Sequence, residues 1–189
     1  ASPFLSLFVL WWCLEGRSFR SGALVGAVYG FAFWAALISW LTLYLGPIPW
    51  LALAITESLY IALACGVIAL ILTHGSYTWG RRPWWIYIAP LAVAGIWSAH
   101  EWLAANWPWG GFAWARFGTA QFDSPMHNAL SWVGTSGVGF IIAWFTASLF
   151  FAVANRGYNY RIVLPAAIAM FCTIVIPLFP TSYAGSMNI

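Results

Sequence analysis

Residues 21–56 read SGALVGAVYGFAFWAALISWLTLYLGPIPWLALAIT and carry no charged side chain. The run is too long for one membrane crossing, which takes about 20 apolar residues. It is interrupted at Gly46-Pro47-Ile48-Pro49, where two prolines withdraw backbone donors and stop a helix. Two membrane helices joined by a tight turn are therefore expected here, near 22–45 and 50–73. The remaining charges mark four more spans, near 2–14, 84–105, 129–154 and 162–179. Six spans use most of 189 residues and leave no room for a folded soluble domain. The expected fold is an all-α, polytopic transmembrane helix bundle over residues 1–180.

Composition points the same way. The chain is 63% hydrophobic and 6% charged, against about 25% charged in an ordinary soluble domain. A soluble enzyme, a disordered tail and a nucleic-acid binder are excluded. Seven arginines, no lysine and four acids give +3, too little for a basic groove. Without lysine, no lysine-based catalysis can originate in this segment. Cys13, Cys65 and Cys172 are far apart in apolar runs, form no CxxC pair, and read as small hydrophobes. His74, His100 and His127 have no ligand spacing, so no metal or cofactor site is expected.

The arginines sort the loops. Arg17, Arg20, Arg81, Arg82, Arg156 and Arg161 follow the first, third and fifth spans, and Arg116 alone lies on the other side. That bias places the six-arginine side in the cytoplasm. Trp50, Trp84, Trp85, Trp107 and Trp109 fall near proposed helix ends, as an interfacial aromatic belt requires. The turn at 46–49, the loop 106–128 and the C-terminus then face outward. Ala1 also lies outside, so a further helix is expected before it. Residues 181–189 read as the start of a linker to an extracytoplasmic domain absent from this chain.

Three polar features need explanation. Glu57 lies within a span, where a carboxyl group is costly and faces other helices or water. It serves either a proton relay or headgroup contact, or a structural bond between helices through Thr56, Ser58 or Tyr60. His100 and Glu101 sit near the outer end of the fourth span, but adjacent helical positions point about 100° apart and need not pair. Loop 106–128 mixes Trp107, Trp109, Phe112, Trp114, Phe117 and Phe122 with glycines, Arg116 and Asp123. It suits either plain interfacial anchoring or contact with a lipid that has both acyl chains and an anionic phosphate.

At this loop the chain resembles the apolipoprotein N-acyltransferases, which complete bacterial lipoprotein maturation. The resemblance is carried by Glu101-Trp102-Leu103, Gly111-Phe112-Ala113-Trp114, Phe117-Gly118 and Gln121, followed by Gly134 and Gly137. The run 46–54, Gly46-Pro47-Ile48-Pro49-Trp50-Leu51-Ala52-Leu53-Ala54, resembles the branch found in mycobacteria and their relatives. Ala113 stands where that family usually has proline. The resemblance implies a multi-pass protein of the bacterial plasma membrane, whose catalytic Glu, Lys and Cys belong to a nitrilase-like α/β domain not present here. It also implies acyl transfer from a phospholipid acyl donor to the α-amine of a diacylglyceryl-cysteine lipoprotein, through a thioester on the external Cys.

On that resemblance, Phe112 and Trp114 are expected to face substrate. Glu101 and Arg116 are expected to contact headgroups or the catalytic domain. Two other functions stay open. One is a non-catalytic scaffold for a polyprenol-phosphate mannose synthase, recruited through the arginine loops. The other is a small transporter, for which Glu57 and the 46–49 turn would be the evidence.

Overall fold

A computed structural model describes residues 3–78, 84–108, 110–121, 127–154 and 160–175. It is all-α, with seven helices among the described residues: α1 (Pro3–Leu14), α2 (Phe19–Leu37), α3 (Leu41–Leu45), α4 (Pro47–Thr78), α5 (Trp85–Asn106), α6 (His127–Ala154) and α7 (Tyr160–Val175). Two 3-10 turns, Ala113–Ala115 and Thr119–Gln121, lie between α5 and α6. Stretches Phe19–Leu37, Pro47–His74 and Asn128–Ala154 are long and apolar enough to cross a membrane. Pro3–Leu14 and Leu164–Val175 are shorter apolar helices. Helix α5 has 22 residues and carries Pro90, His100 and Glu101. The arginine loops around Arg81, Arg82 and Arg156, and the expected linker 181–189, lie outside the described residues.

The local signals explain most boundaries. Pro3 opens α1 at a position whose N–H has no helical partner, and Gly16, at φ 70°, ends it in a left-handed turn. Ser18 caps α2, its hydroxyl accepting from the Ser21 N–H. The helix expected over 22–45 is broken at 38–40. There Trp50 Nε1 donates to the Ala35 carbonyl at 3.1 Å, the oxygen to which Ser39 N would donate in a continuous helix. Ser39 N turns to Ala36 O instead, at 3.4 Å. The Pro-Ile-Pro segment does end α3, but it also opens α4, three residues earlier than expected. Gly46 supplies the left-handed residue (φ 84°). Pro47 and Pro49 then occupy the first turn, where helical N–H groups have no acceptor.

Packing follows small residues. Gly22, Gly26 and Gly30 recur every four residues along α2 and are buried against α4. A Cβ at Gly26 would lie 2.5 Å from Cys65 Cβ and 2.9 Å from the Ile61 carbonyl oxygen. In lipid, where apolar burial gives no net drive, such close backbone approach is what holds helices together. On the other side α1 lies along α6, α5 fills the space between α4 and α6, and α7 covers α6 and α5. Trp11, fully buried, meets Trp97 edge-on at 5.5 Å and donates Nε1 to Thr146 Oγ1 at 3.1 Å. The exterior is apolar: Leu24, Val28, Leu59, Leu63 and Phe171 are all exposed.

The two ends of the bundle are distinct. Thr73 Oγ1 donates to the Arg17 carbonyl, joining the α1–α2 turn to the late part of α4. The opposite end gathers the start of α1, the α2–α3 break and the 107–121 loop; Pro3, Trp114 and Thr119 line one cavity there, and Trp40 meets Trp114 at 5.7 Å. Among the described residues, the α1–α2 turn thus lies at one end, and the α2–α3 break and the loop after α5 lie at the other.

Candidate functional site

The site grows from the way the loop after α5 returns onto the helices. Gly111 N donates to Pro108 O at 2.9 Å, and Phe112 N donates to Ala104 O at 2.8 Å, one turn back in α5. A Cβ at Gly111 would fall 2.2 Å from the Ala105 carbonyl carbon, so only glycine permits this return. Farther along, Gly118 lies on α6 where that helix is broken. Gly134 there has φ 69° and ψ 176° and divides α6 into two pieces. A Cβ at Gly118 would sit 2.0 Å from Thr135 O. The Tyr60 hydroxyl donates to Trp107 O at 2.8 Å, holding the start of the loop on α4.

Between these anchors the aromatic side chains form a ladder. Trp97, 2% exposed, stacks on Phe117 at 5.4 Å. Phe117 meets Phe33 at 6.3 Å, and Phe33 meets Trp34 at 5.8 Å. Trp34 lies 5.6 Å from Phe112, which stacks on Trp114 at 5.8 Å with the rings 7° from parallel. Trp114, 67% exposed, then approaches Trp40 at the surface. The ladder runs from the buried core to the end of the bundle. Aromatic pairs add about 0.5–1.5 kcal/mol each beyond their buried area, so it fixes the loop's position.

Beneath the ladder is a narrow cavity of about 30 Å³, room for one or two waters. Its lining includes Glu57 from α4, His100 and Glu101 from α5, and Arg116 from the loop. Glu101 is 9% exposed and accepts a hydrogen bond from the Phe117 N–H at 3.2 Å. Glu57 is 4% exposed, and its Oε2 has no partner. His100 Nδ1 is also buried without a partner, its ring 4.4 Å from that of Trp97. Arg116 donates from Nη1 to Ser136 Oγ at 3.4 Å, while its buried Nε has no acceptor. Several unpartnered polar atoms around one small cavity are the arrangement that water or a polar ligand group would satisfy.

A second cavity of about 420 Å³ adjoins the first, sharing Phe33, Ala115, Arg116 and Phe117 with it. Trp114, Pro3 and Ser6 also line it. The four residues singled out from the sequence are thus brought together: Glu101, Phe112 and Arg116 line the narrow cavity, and Trp114 with Arg116 the wider one.

Glu57 joins them from a distant helix. The partners expected for it are engaged elsewhere: Thr56 Oγ1 donates to Ala52 O, Ser58 Oγ to Ile55 O and the Tyr60 hydroxyl to Trp107 O. His74, expected at a loop edge, lies inside α4 with Nδ1 2.9 Å from Leu70 O. Trp109, Phe122 and Asp123 lie outside the described residues, as does the His127 side chain. Tyr29, Phe33 and Trp34 on α2 carried no signal in the sequence, because nothing there shows which face of α2 meets the loop.

Residues 2–148 match the family model of the apolipoprotein N-acyltransferase N-terminal domain. The chain belongs to that family. The match runs from α1 through most of α6 and includes the whole 107–121 loop with both cavities. It leaves α7 beyond its end. No curated protein matches the chain. The family match establishes the membrane part of an apolipoprotein N-acyltransferase and with it an association with lipoprotein acylation.

Proposed function

We propose that this domain holds a phospholipid acyl donor and a diacylglyceryl-cysteine lipoprotein in register for N-acylation by a nitrilase-like domain joined to it on the outer face of the bacterial plasma membrane. The observation that carries this reading is the 107–121 loop, which presents Phe112, Trp114 and Arg116 together at one end of an apolar bundle. The exposed Trp114 stacked on half-buried Phe112, beside a guanidinium, meets both parts of an anionic lipid, its hydrocarbon and its phosphate.

The chemistry assigned to the external domain is double displacement. A cysteine thiolate attacks the donor's ester carbonyl, forming a thioester and releasing a lysophospholipid. The free α-amine of the lipoprotein then attacks the thioester, forming an amide and returning the thiol. Both substrates are anchored in the bilayer, so the step is limited by orientation, which a rigid platform supplies. The loop end of the bundle faces outward in this reading, because Arg17 and Arg20 lie at the opposite end.

In the full-length enzyme, Trp114→Ala is expected to lower acyl-enzyme formation from phospholipid, transfer to the lipoprotein, or both. Unchanged rates for both half-reactions would refute the loop's role. Co-purification of a polyprenol-phosphate mannose synthase with a protein lacking acyl transfer would support the scaffold function instead.

A further inference from the structure

The helices α1 and α2 are joined by a short turn at residues 15–18 and touch little along their length. Between them lies a groove of about 610 Å³. Leu5, Val9 and Cys13 line it from α1, and Leu24 and Val28 from α2. From Leu5 to Cys13 the groove spans about 12 Å along the helix. At its loop end Ser6 Oγ and the Tyr29 hydroxyl are 2.7 Å apart.

That hydroxyl pair joins three spaces. Ser6 lines both the groove and the wider cavity beneath Trp114. Tyr29 lines both the groove and the narrow cavity containing Glu57. Arg116, with its Nε unpartnered, lines both cavities. From the loop end inward the order is a cation, a pair of hydroxyls, and a wholly apolar trough. A glycerophospholipid has the complementary order of phosphate, ester oxygens and hydrocarbon chain.

We infer that the α1–α2 groove seats one acyl chain of a glycerophospholipid whose phosphate meets Arg116 and whose ester region meets Ser6 and Tyr29. Hydrocarbon gains nothing by leaving the bilayer for a protein groove except packing. Selection of a bound lipid over bulk lipid therefore rests on the polar end, at Arg116. The further step, that this lipid is the acyl donor, rests on the function proposed above.

The test uses the full-length enzyme in phosphatidylglycerol vesicles doped with a phosphatidylglycerol that carries a diazirine on its acyl chain. After irradiation, adducts are mapped by peptide mass spectrometry. Leu63 on α4 and Phe171 on α7, both exposed and away from the groove, report ordinary lipid contact. Adducts at Val9, Cys13 and Leu24 are expected to exceed those at Leu63 and Phe171 severalfold. Val28→Trp, which fills the groove, should reduce them to the level of the two reference sites.

Arg116→Gln should reduce groove adducts likewise, and a diazirine-bearing diacylglycerol, lacking phosphate, should show no enrichment. Equal labelling of groove and reference sites would overturn the site. Enrichment that survives Arg116→Gln would overturn the assigned phosphate contact. Acyl-enzyme formation by Val28→Trp separates the two levels: groove adducts lost with unimpaired acylation would uphold the lipid site and remove its occupant as the donor.

Discussion

Replacing Gly118 by alanine tests whether the loop must lie on broken α6 for the site to exist. The added Cβ would sit 2.0 Å from Thr135 O, with the Thr135 carbonyl carbon and Cα at 2.7 and 2.8 Å. All three atoms are backbone, so no side chain can swing aside. Ordinary contact begins near 3.4 Å, and the loop must retreat by about 1.4 Å. Phe117, the preceding residue, then loses its 3.2 Å bond to Glu101 Oε1 and its stack on Trp97.

Leaving a buried carboxyl without that donor costs about 1–3 kcal/mol, and losing the stack about 0.5–1.5 kcal/mol. The docked loop should therefore lose about ten- to a thousandfold in population against an undocked one. Amide hydrogen exchange in the purified protein reads this directly, as lost protection of the 116–119 segment with α4 and α6 unaffected. In the full-length enzyme, acyl transfer should fall in parallel. A Gly118→Ala protein with wild-type protection at Phe117 would refute the reasoning, whatever its activity.

Other perturbations test the frame around the loop. Gly26→Leu drives a side chain into Cys65 and the Ile61 carbonyl; overpacking of about 1–3 kcal/mol or more should lower the thermal midpoint in detergent, and an unchanged midpoint would deny that α2 and α4 meet at this face. Tyr60→Phe removes the 2.8 Å bond to Trp107 O. It should cost about 1 kcal/mol, measured as a modest drop in midpoint and faster exchange at the start of the loop. Glu101→Gln keeps an acceptor for the Phe117 N–H and should retain most of the loop's protection. Glu101→Ala should lose it, and equal behaviour of the two would show that the hydrogen bond is not what holds the loop.

The helical, membrane-embedded class of the protein was legible from residues alone. A 36-residue stretch without charge, broken by Gly-Pro-Ile-Pro, allows no soluble fold, because an uncharged apolar surface of that size cannot be hydrated. Less legible was the division of the second span at 38–40, where the Trp50–Ala35 bond that accompanies it joins two helices. The opening of α4 at Pro47 was masked by reading proline only as a helix breaker, when in the first turn it costs no hydrogen bond.

For the site, loop 106–128 stood out as a run of rings, glycines and single charges between apolar spans, but Glu101, Phe112, Trp114 and Arg116 were singled out by the family resemblance. Composition cannot say which way such side chains turn. Tertiary structure alone decided that Glu57 and Glu101, 44 positions apart, line one cavity. It alone decided that Tyr29, Phe33 and Trp34 complete the loop's aromatic ladder. In a bundle this apolar every helix face is chemically similar, with glycine spacing marking close approach on α2 and little else. Sequence therefore determined that helices cross the membrane and where most of them end, through local hydrogen bonding and apolar length. Which faces meet, and so which polar atoms are left without partners, depends on side-chain shape across helices far apart in the chain, and only their packing resolves it.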